Sequence, residues 1–145
     1  LGGLADAVTI TVADPVRDER GWAFREGAGH GPDAVNGFPF LREAYHATNP
    51  DFDGRVTVPV LWDKKKRVIV NNSEDDICRM FDGAFRPLAQ HHVDLFPNDI
   101  AMEQAELSGF IYDNVNNGVY KAGFASRQLA YEHACRALFN ALDQL

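Results

Sequence analysis

The stretch Thr57 to Asp76, TVPVLWDKKKRVIVNNSEDD, organises the reading of the whole chain. Two β-branched runs, Thr57 to Trp62 and Arg67 to Val70, flank a tight charged turn and predict a β-hairpin. Pro59 sits inside the first run, although proline has no amide hydrogen for a ladder and is confined within sheets to edges, strand starts and bulges. A burst of acids follows the second run, behind Ser73. Ser73 suits the N-cap of a helix reaching Phe85, and Asp76 three residues on gives a variant of the capping box. Ile77, Met80, Phe81 and Ala84 supply that helix with one apolar stripe.

Upstream, Phe38 to Ala47 carries apolar residues at helical spacing, at Phe38, Leu41, Ala44 and Tyr45, and TNPDFDG closes this helix with turn residues. Ala7 to Val12, AVTITV, reads as a buried strand. Between them, Ala13 to Asn36 is rich in Gly, Pro, Asp and Arg and has no period. It predicts a long loop with one aromatic island, GWAF, at Gly21 to Phe24. Downstream, Arg86 to Pro97 is an irregular connector and the best domain boundary. Beyond it the pattern is helical over Ile100 to Tyr112, interrupted by NVNNGVYKAGF, and helical again over Arg127 to Leu145, with Leu129, Ala134, Leu138, Phe139 and Leu142 on one side. The order strand, loop, helix, hairpin, helix, linker, helices matches the second half of a thioredoxin fold with a helical domain attached. The predicted fold class is therefore α/β, a partial thioredoxin-like domain over 1–85, a linker over 86–97, and over 98–145 the start of an all-α glutathione-transferase-type domain.

Composition narrows the function. The 145 residues are 46% hydrophobic and 24% charged, ordinary for a globular chain. A chain this long buries roughly 68–70% of its unfolded surface, enough for one good core or two small ones. A net charge of −7 and a pI near 5.1 argue against nucleic-acid or membrane-surface partners, which need clustered Lys and Arg. The single basic run, Lys64 to Arg67, reads as a solvated hairpin tip, and no apolar run approaches the ~18 residues of a membrane span. Leu1-Gly-Gly-Leu lacks the basic start of a signal peptide, and a start at Leu rather than Met reads as a fragment. Cys78 and Cys135 form no CxxC and no metal spacing, so a cytosolic, disulfide-free protein without a metal is expected. Both lie on or beside apolar helical stripes and read as buried small hydrophobes, while His91-His92 are too isolated for a metal site.

Three features carry candidate chemistry, each beside a purely structural reading. A cis Val58–Pro59 bond would turn the Val58 backbone outward, where an extended peptide such as glutathione pairs with it like an added strand; a trans proline at a strand edge is the alternative. At NNSEDD the helix N-terminus and the Ser73 hydroxyl welcome a carboxylate, and Glu74 or Asp75 could hold an ammonium, together the γ-glutamyl end of glutathione. The alternative is that Ser73 only caps and the acids only complement the helix dipole. Trp22, in a polar loop, either plugs the core or stacks over a ligand. Asn116, Asn117 and Gly118 form either a simple helix kink or a break that re-aims the Tyr120 hydroxyl toward a phenolic oxygen.

Taken together, GWAF, GRVTVPVLWDKKKRVIVNN, ICRMF, IYDNVNNGVYKAGFA and AYEHACRALFNALDQL resemble the glutathionyl-hydroquinone reductases, the xi class of glutathione transferases, in the family's order over nearly the whole chain. The resemblance implies a cytosolic, typically homodimeric enzyme in which a Cys thiolate attacks the glutathione sulfur of a glutathionyl-hydroquinone, and a second glutathione clears the mixed disulfide. It further implies that Trp22 packs over glutathione, that Val58 pairs with its backbone ahead of cis Pro59, that Ser73 and Glu74 hold the γ-glutamyl group, and that Tyr120 lies in the hydroquinone pocket. Where the family reads Glu-Ser after the Asn pair, this chain reads Ser73-Glu74, which leaves open which side chain meets which ligand group. The family's CPWAH-like motif is not in these residues, and neither cysteine takes its place. The expectation is a fragment lacking that motif and the later helices, inactive alone. An omega-like thioltransferase and a non-catalytic glutathione-binding module are the rival readings.

Overall fold

Lys64 to Arg67 turn the chain between β1 (Leu61–Asp63) and β2 (Val68–Asn71), which pair antiparallel. Asp63 organises the turn: its Oδ1 accepts the N–H groups of Lys65 and Lys66 at 2.8 and 2.9 Å, and its carbonyl accepts that of Arg67 at 2.8 Å. Arg67 takes a left-handed φ of 58°. The backbone bond from Lys66, opposed in part by desolvation, holds the Asp63 carboxyl below its usual range. In this computed structural model residues 3–91 and 93–145 are described. Leu1 and Gly2 of the chain start, and His92 of the His pair, lie outside the described residues.

The ladder is shorter than the hairpin predicted from Thr57. It runs Leu61↔Asn71, Trp62↔Ile69 and Asp63↔Val68, with a bulge between Leu61 and Trp62. Pro59 explains the difference, because a residue without an N–H cannot extend an antiparallel ladder. The predicted upstream helix forms as α1 (Arg42–Thr48), and its Thr48 Oγ1 accepts the Ile69 N–H of β2 at 2.8 Å. Leu41, Ala44 and Tyr45 make the core, with Trp22, Phe38, Phe52, Val60 and Trp62 packed around them.

AVTITV does not form the predicted strand. Among the described residues the only sheet is the two-stranded β1–β2 pair, and Ile10 is 70% exposed. β-branched residues favour extended backbone, but a strand exists only through a partner's ladder, and the backbone bond that joins this run to the loop beyond it, from the Gly31 N–H to the Val12 C=O at 3.3 Å, does not make one.

Helix α2 (Glu74–Asp82) starts at the predicted cap, with Ser73 Oγ accepting the Asp76 N–H at 3.4 Å. The reciprocal half of the capping box is replaced. Ser73 N–H donates to Asn71 Oδ1 at 2.7 Å, and the Asp76 carboxylate instead accepts from Asn71 Nδ2 at 3.3 Å. Cys78 is exposed, not buried, because only Ile77 of that turn faces inward.

The chain divides into two units, Leu1–Asp94 and Leu95–Leu145. The second is helical: α3 (Ala101–Ile111), a π-helical turn over Tyr112–Asn116, α4 (Asn117–Gly123) and α5 (Gln128–Leu142). The predicted interruption at NVNNGVYKAGF is thus a continuous helix with one wide turn, in which the Asn117 N–H reaches the Tyr112 carbonyl. Gly118 lets α4 approach α5, since a Cβ there would lie 3.3 Å from Leu138 Cδ1. On α5 the buried residues are Leu138 and Ala141, whereas Leu129 and Phe139 of the predicted stripe are exposed. No helix of the described residues is long and apolar enough to cross a membrane.

Candidate functional site

The loop before α1 is built to present Trp22. Asp14 accepts the Val16 N–H at 2.7 Å and an ion-paired bond from Arg25, while Asp18 accepts the backbone N–H and guanidinium of Arg20 at 2.8 and 2.6 Å. These bonds hold both carboxyls below their usual range, led by the Val16 amide for Asp14 and by the Arg20 side chain for Asp18. Gly21, at φ 110°, turns the chain into the aromatic island. GWAF then lies antiparallel to the residues entering α1: Leu41 N–H donates to Trp22 C=O and Phe24 N–H to Pro39 C=O, both at 2.9 Å. The Trp22 ring is half-buried against the core and also borders a cleft, so its two sequence readings are compatible.

That cleft has a volume of about 720 Å³, within the range of small-ligand sites, and is bordered by Trp22, Phe38, Val58, Pro59, Trp62 and Phe81. The Val58–Pro59 bond is cis. Val58 is 47% exposed, and no hydrogen bond among the described residues uses its N–H or C=O. Trp62 Nε1 is a buried donor without a partner among the described residues. Sequence periodicity places Trp62 in a strand but does not reveal that orphan, which depends on the neighbours its ring meets.

Ser73 and Glu74 do not border this cleft; they stand at the start of α2. The three acids there differ in what they already hold. Asp75 pairs with Arg79 at 2.8 Å and Asp76 with Asn71, whereas Glu74 makes no hydrogen bond or ion pair among the described residues. The Ser73 oxygen accepts as a cap, which leaves its hydroxyl hydrogen available to an acceptor. Tyr120 belongs to the helical unit, is 60% exposed and stacks on Phe124 at 6.1 Å between ring centres. Among the described residues, no group of three or more His, Cys, Asp or Glu is placed to hold a metal ion.

Sequence reasoning missed the residues that tie the two halves of this region together. Tyr45 is buried on α1, and its hydroxyl donates to Thr57 C=O at 3.0 Å and accepts the Thr57 N–H at 3.3 Å. Asn72 Nδ2 donates to the same hydroxyl at 3.1 Å and to Thr57 Oγ1 at 3.3 Å. Helical spacing marks Tyr45 as a core residue, but nothing local marks its oxygen as a junction.

No family model matches the chain. The glutathionyl-hydroquinone reductase YqjG of Escherichia coli K12 is 43% identical over 146 residues, covering 100% of this chain and 44% of that protein. The crystal structure of the xi glutathione S-transferase from Phanerochaete chrysosporium superposes with a TM-score of 0.93 at 42% identity, over 99% of this chain and 50% of that one. The glutathione-bound structure of YqjG gives the same TM-score, 0.93, at 42% identity, over 99% of this chain and 47% of its own. The chain spans about half the length of the curated relatives it matches.

Proposed function

From the membership of these 145 residues, over their whole length, in the xi class of glutathione transferases, we propose that the protein binds glutathione along Trp22, Val58, Pro59, Ser73 and Glu74 and uses it to reduce glutathionyl-hydroquinones. The observation that carries this reading is the Val58 backbone, unpartnered beside an aromatic cleft. A peptide pairs with such a backbone as an added strand. Glutathione is extended and peptide-like, and its far end carries a carboxylate and an ammonium on one carbon. The first-turn amides of α2 and the Ser73 hydroxyl suit that carboxylate, and the uncommitted Glu74 suits the ammonium. Trp22 covers the ligand from the loop side, and Tyr120 donates to the phenolic oxygen of the hydroquinone.

In the reaction, a cysteine thiolate from outside these residues attacks the glutathione sulfur of the substrate. The carbon–sulfur bond breaks, its electron pair returns to the ring, and a proton completes the hydroquinone. A second glutathione thiolate then attacks the Cys–glutathione disulfide, releasing glutathione disulfide and the starting thiolate. Cys78 and Cys135 take no part, since neither borders the cleft. The residues 1–145 alone therefore give no turnover, and the intact protein acts as a cytosolic homodimer.

Incubating the intact natural protein with glutathione and a glutathionyl-hydroquinone, and following both products, tests this. One hydroquinone per glutathione disulfide supports the reading, and binding without turnover leaves a glutathione-binding module instead. Faster turnover of protein–glutathione mixed disulfides points to an omega-like thioltransferase.

A further inference from the structure

One phenolic oxygen joins the two segments on which the proposed glutathione site depends. A tyrosine hydroxyl has one hydrogen to give and two lone pairs to accept with. Tyr45 draws on all of them: it donates to Thr57 C=O at 3.0 Å, accepts the Thr57 N–H at 3.3 Å and Asn72 Nδ2–H at 3.1 Å, and its oxygen also lies 3.2 Å from Thr57 Oγ1. Thr57 immediately precedes Val58, and Asn72 immediately precedes Ser73. A direct Asn72 Nδ2 to Thr57 Oγ1 bond of 3.3 Å closes the junction on its other side. The hydroxyl lies on a ring that is itself fixed, 5% exposed on α1 and packed on Phe52 at 4.8 Å between ring centres.

Nothing else in the hydrogen-bond pattern of the described residues links the 57–60 segment to the 72–74 segment. The ladder begins at Leu61 and ends at Asn71, so both segments lie beyond its reach. Beyond the covalent chain through the Leu61–Asn71 pair, the hydrogen bonds that tie the two segments to each other are therefore made by side chains.

We propose that Tyr45, with Asn72, is a positioning pair that holds the Val58 backbone and the Ser73–Glu74 helix start at the spacing of a glutathione molecule, so that the pair governs affinity for a ligand spanning both segments. The inference rests on the glutathione-binding reading. Neither residue touches the ligand. A ligand that reaches only one segment has no use for the spacing, and this separates positioning from general structural support.

The test compares three ligands on the intact natural protein and its Tyr45→Phe and Asn72→Ala variants, by ligand-observed NMR titration. Glutathione spans both segments, the dipeptide Cys-Gly reaches only the Val58 backbone, and γ-glutamyl methylamide reaches only the Ser73–Glu74 end. Tyr45→Phe keeps the ring and its packing while removing the hydroxyl's bonds, and leaves the Asn72–Thr57 Oγ1 bond as the remaining side-chain link. Loss of its bonds should weaken glutathione by about tenfold, the equivalent of one or two ordinary hydrogen bonds. Both short ligands should stay within twofold of the wild type, and the double variant should be no weaker than the worse single one, as expected for residues of one network. A Tyr45→Phe protein that binds glutathione as the wild type does, or that loses all three ligands equally, overturns the positioning role alone. A wild type that binds none of the three overturns the glutathione reading and this inference with it.

Discussion

Replacing Glu74 by Gln tests whether the first turn of α2 receives an ammonium. The three acids of that turn share one environment but differ in commitments: Asp75 is paired with Arg79 at 2.8 Å, Asp76 accepts from Asn71 Nδ2 at 3.3 Å, and Glu74 is uncommitted among the described residues. A unit charge pair at 4 Å is worth about 1 kcal/mol in bulk water and about 4 kcal/mol at an effective dielectric of 20. Glu74 is exposed, so the lower figure applies, and Glu74→Gln should weaken glutathione about fivefold. Asp75→Asn removes the same charge from the same turn, and so loses the same interaction with the helix dipole. Its carboxylate already has a partner, so the affinity should change by less than about twofold. Titration calorimetry at low salt and at 1 M salt measures both variants. The Debye length falls from about 10 Å at 0.1 M to about 3 Å at 1 M, so the gap between wild type and Glu74→Gln should narrow at high salt. Equal losses for the two variants, or a gap that ignores salt, would refute the assignment of the ammonium to Glu74.

Further expectations concern the frame that carries the site. Gly118→Leu places a branched side chain where a Cβ alone would sit 3.3 Å from Leu138 Cδ1, and should cost about 1–3 kcal/mol in denaturant unfolding. Gly118→Ala should fall within about 1 kcal/mol of wild type, since the gain in helix propensity offsets a squeeze that the end of Leu138 can relieve. Gly21→Ala meets no atom within 4 Å, so any loss is backbone strain at φ 110°, about 1–3 kcal/mol. Asp14 has its folded value held below the usual 3.8, so its contribution is complete above that value and is lost as pH falls through the folded one. Asp14→Asn should flatten the acid-side change in the Val16 amide signal, and an unchanged acid profile would remove Asp14 from the loop's support.

Much of the frame is legible in short stretches, because the forces that make it act over a few residues. Ser73 caps α2 through a bond to Asp76, three residues away, and Asp63 organises the hairpin turn through Lys65, Lys66 and Arg67. The helices follow from apolar spacing, and the proline in the hairpin run announces the early end of the ladder. Motifs in their order carry the family and with it the fold class. Other features depend on what lies far along the chain. AVTITV has every local property of a strand and forms none, since a ladder requires a partner. The interruption predicted at NVNNGVYKAGF is a π-helical turn, because a helix can absorb an extra residue without breaking. Glu74 and Asp75 are alike in sequence, and only the reach of Arg79 separates them. Tyr45 meets Thr57 across 12 residues and Asn72 across 27. Periodicity can mark its ring for the core, but the partners of its hydroxyl are chosen only when α1, the Pro59 segment and the start of α2 come together.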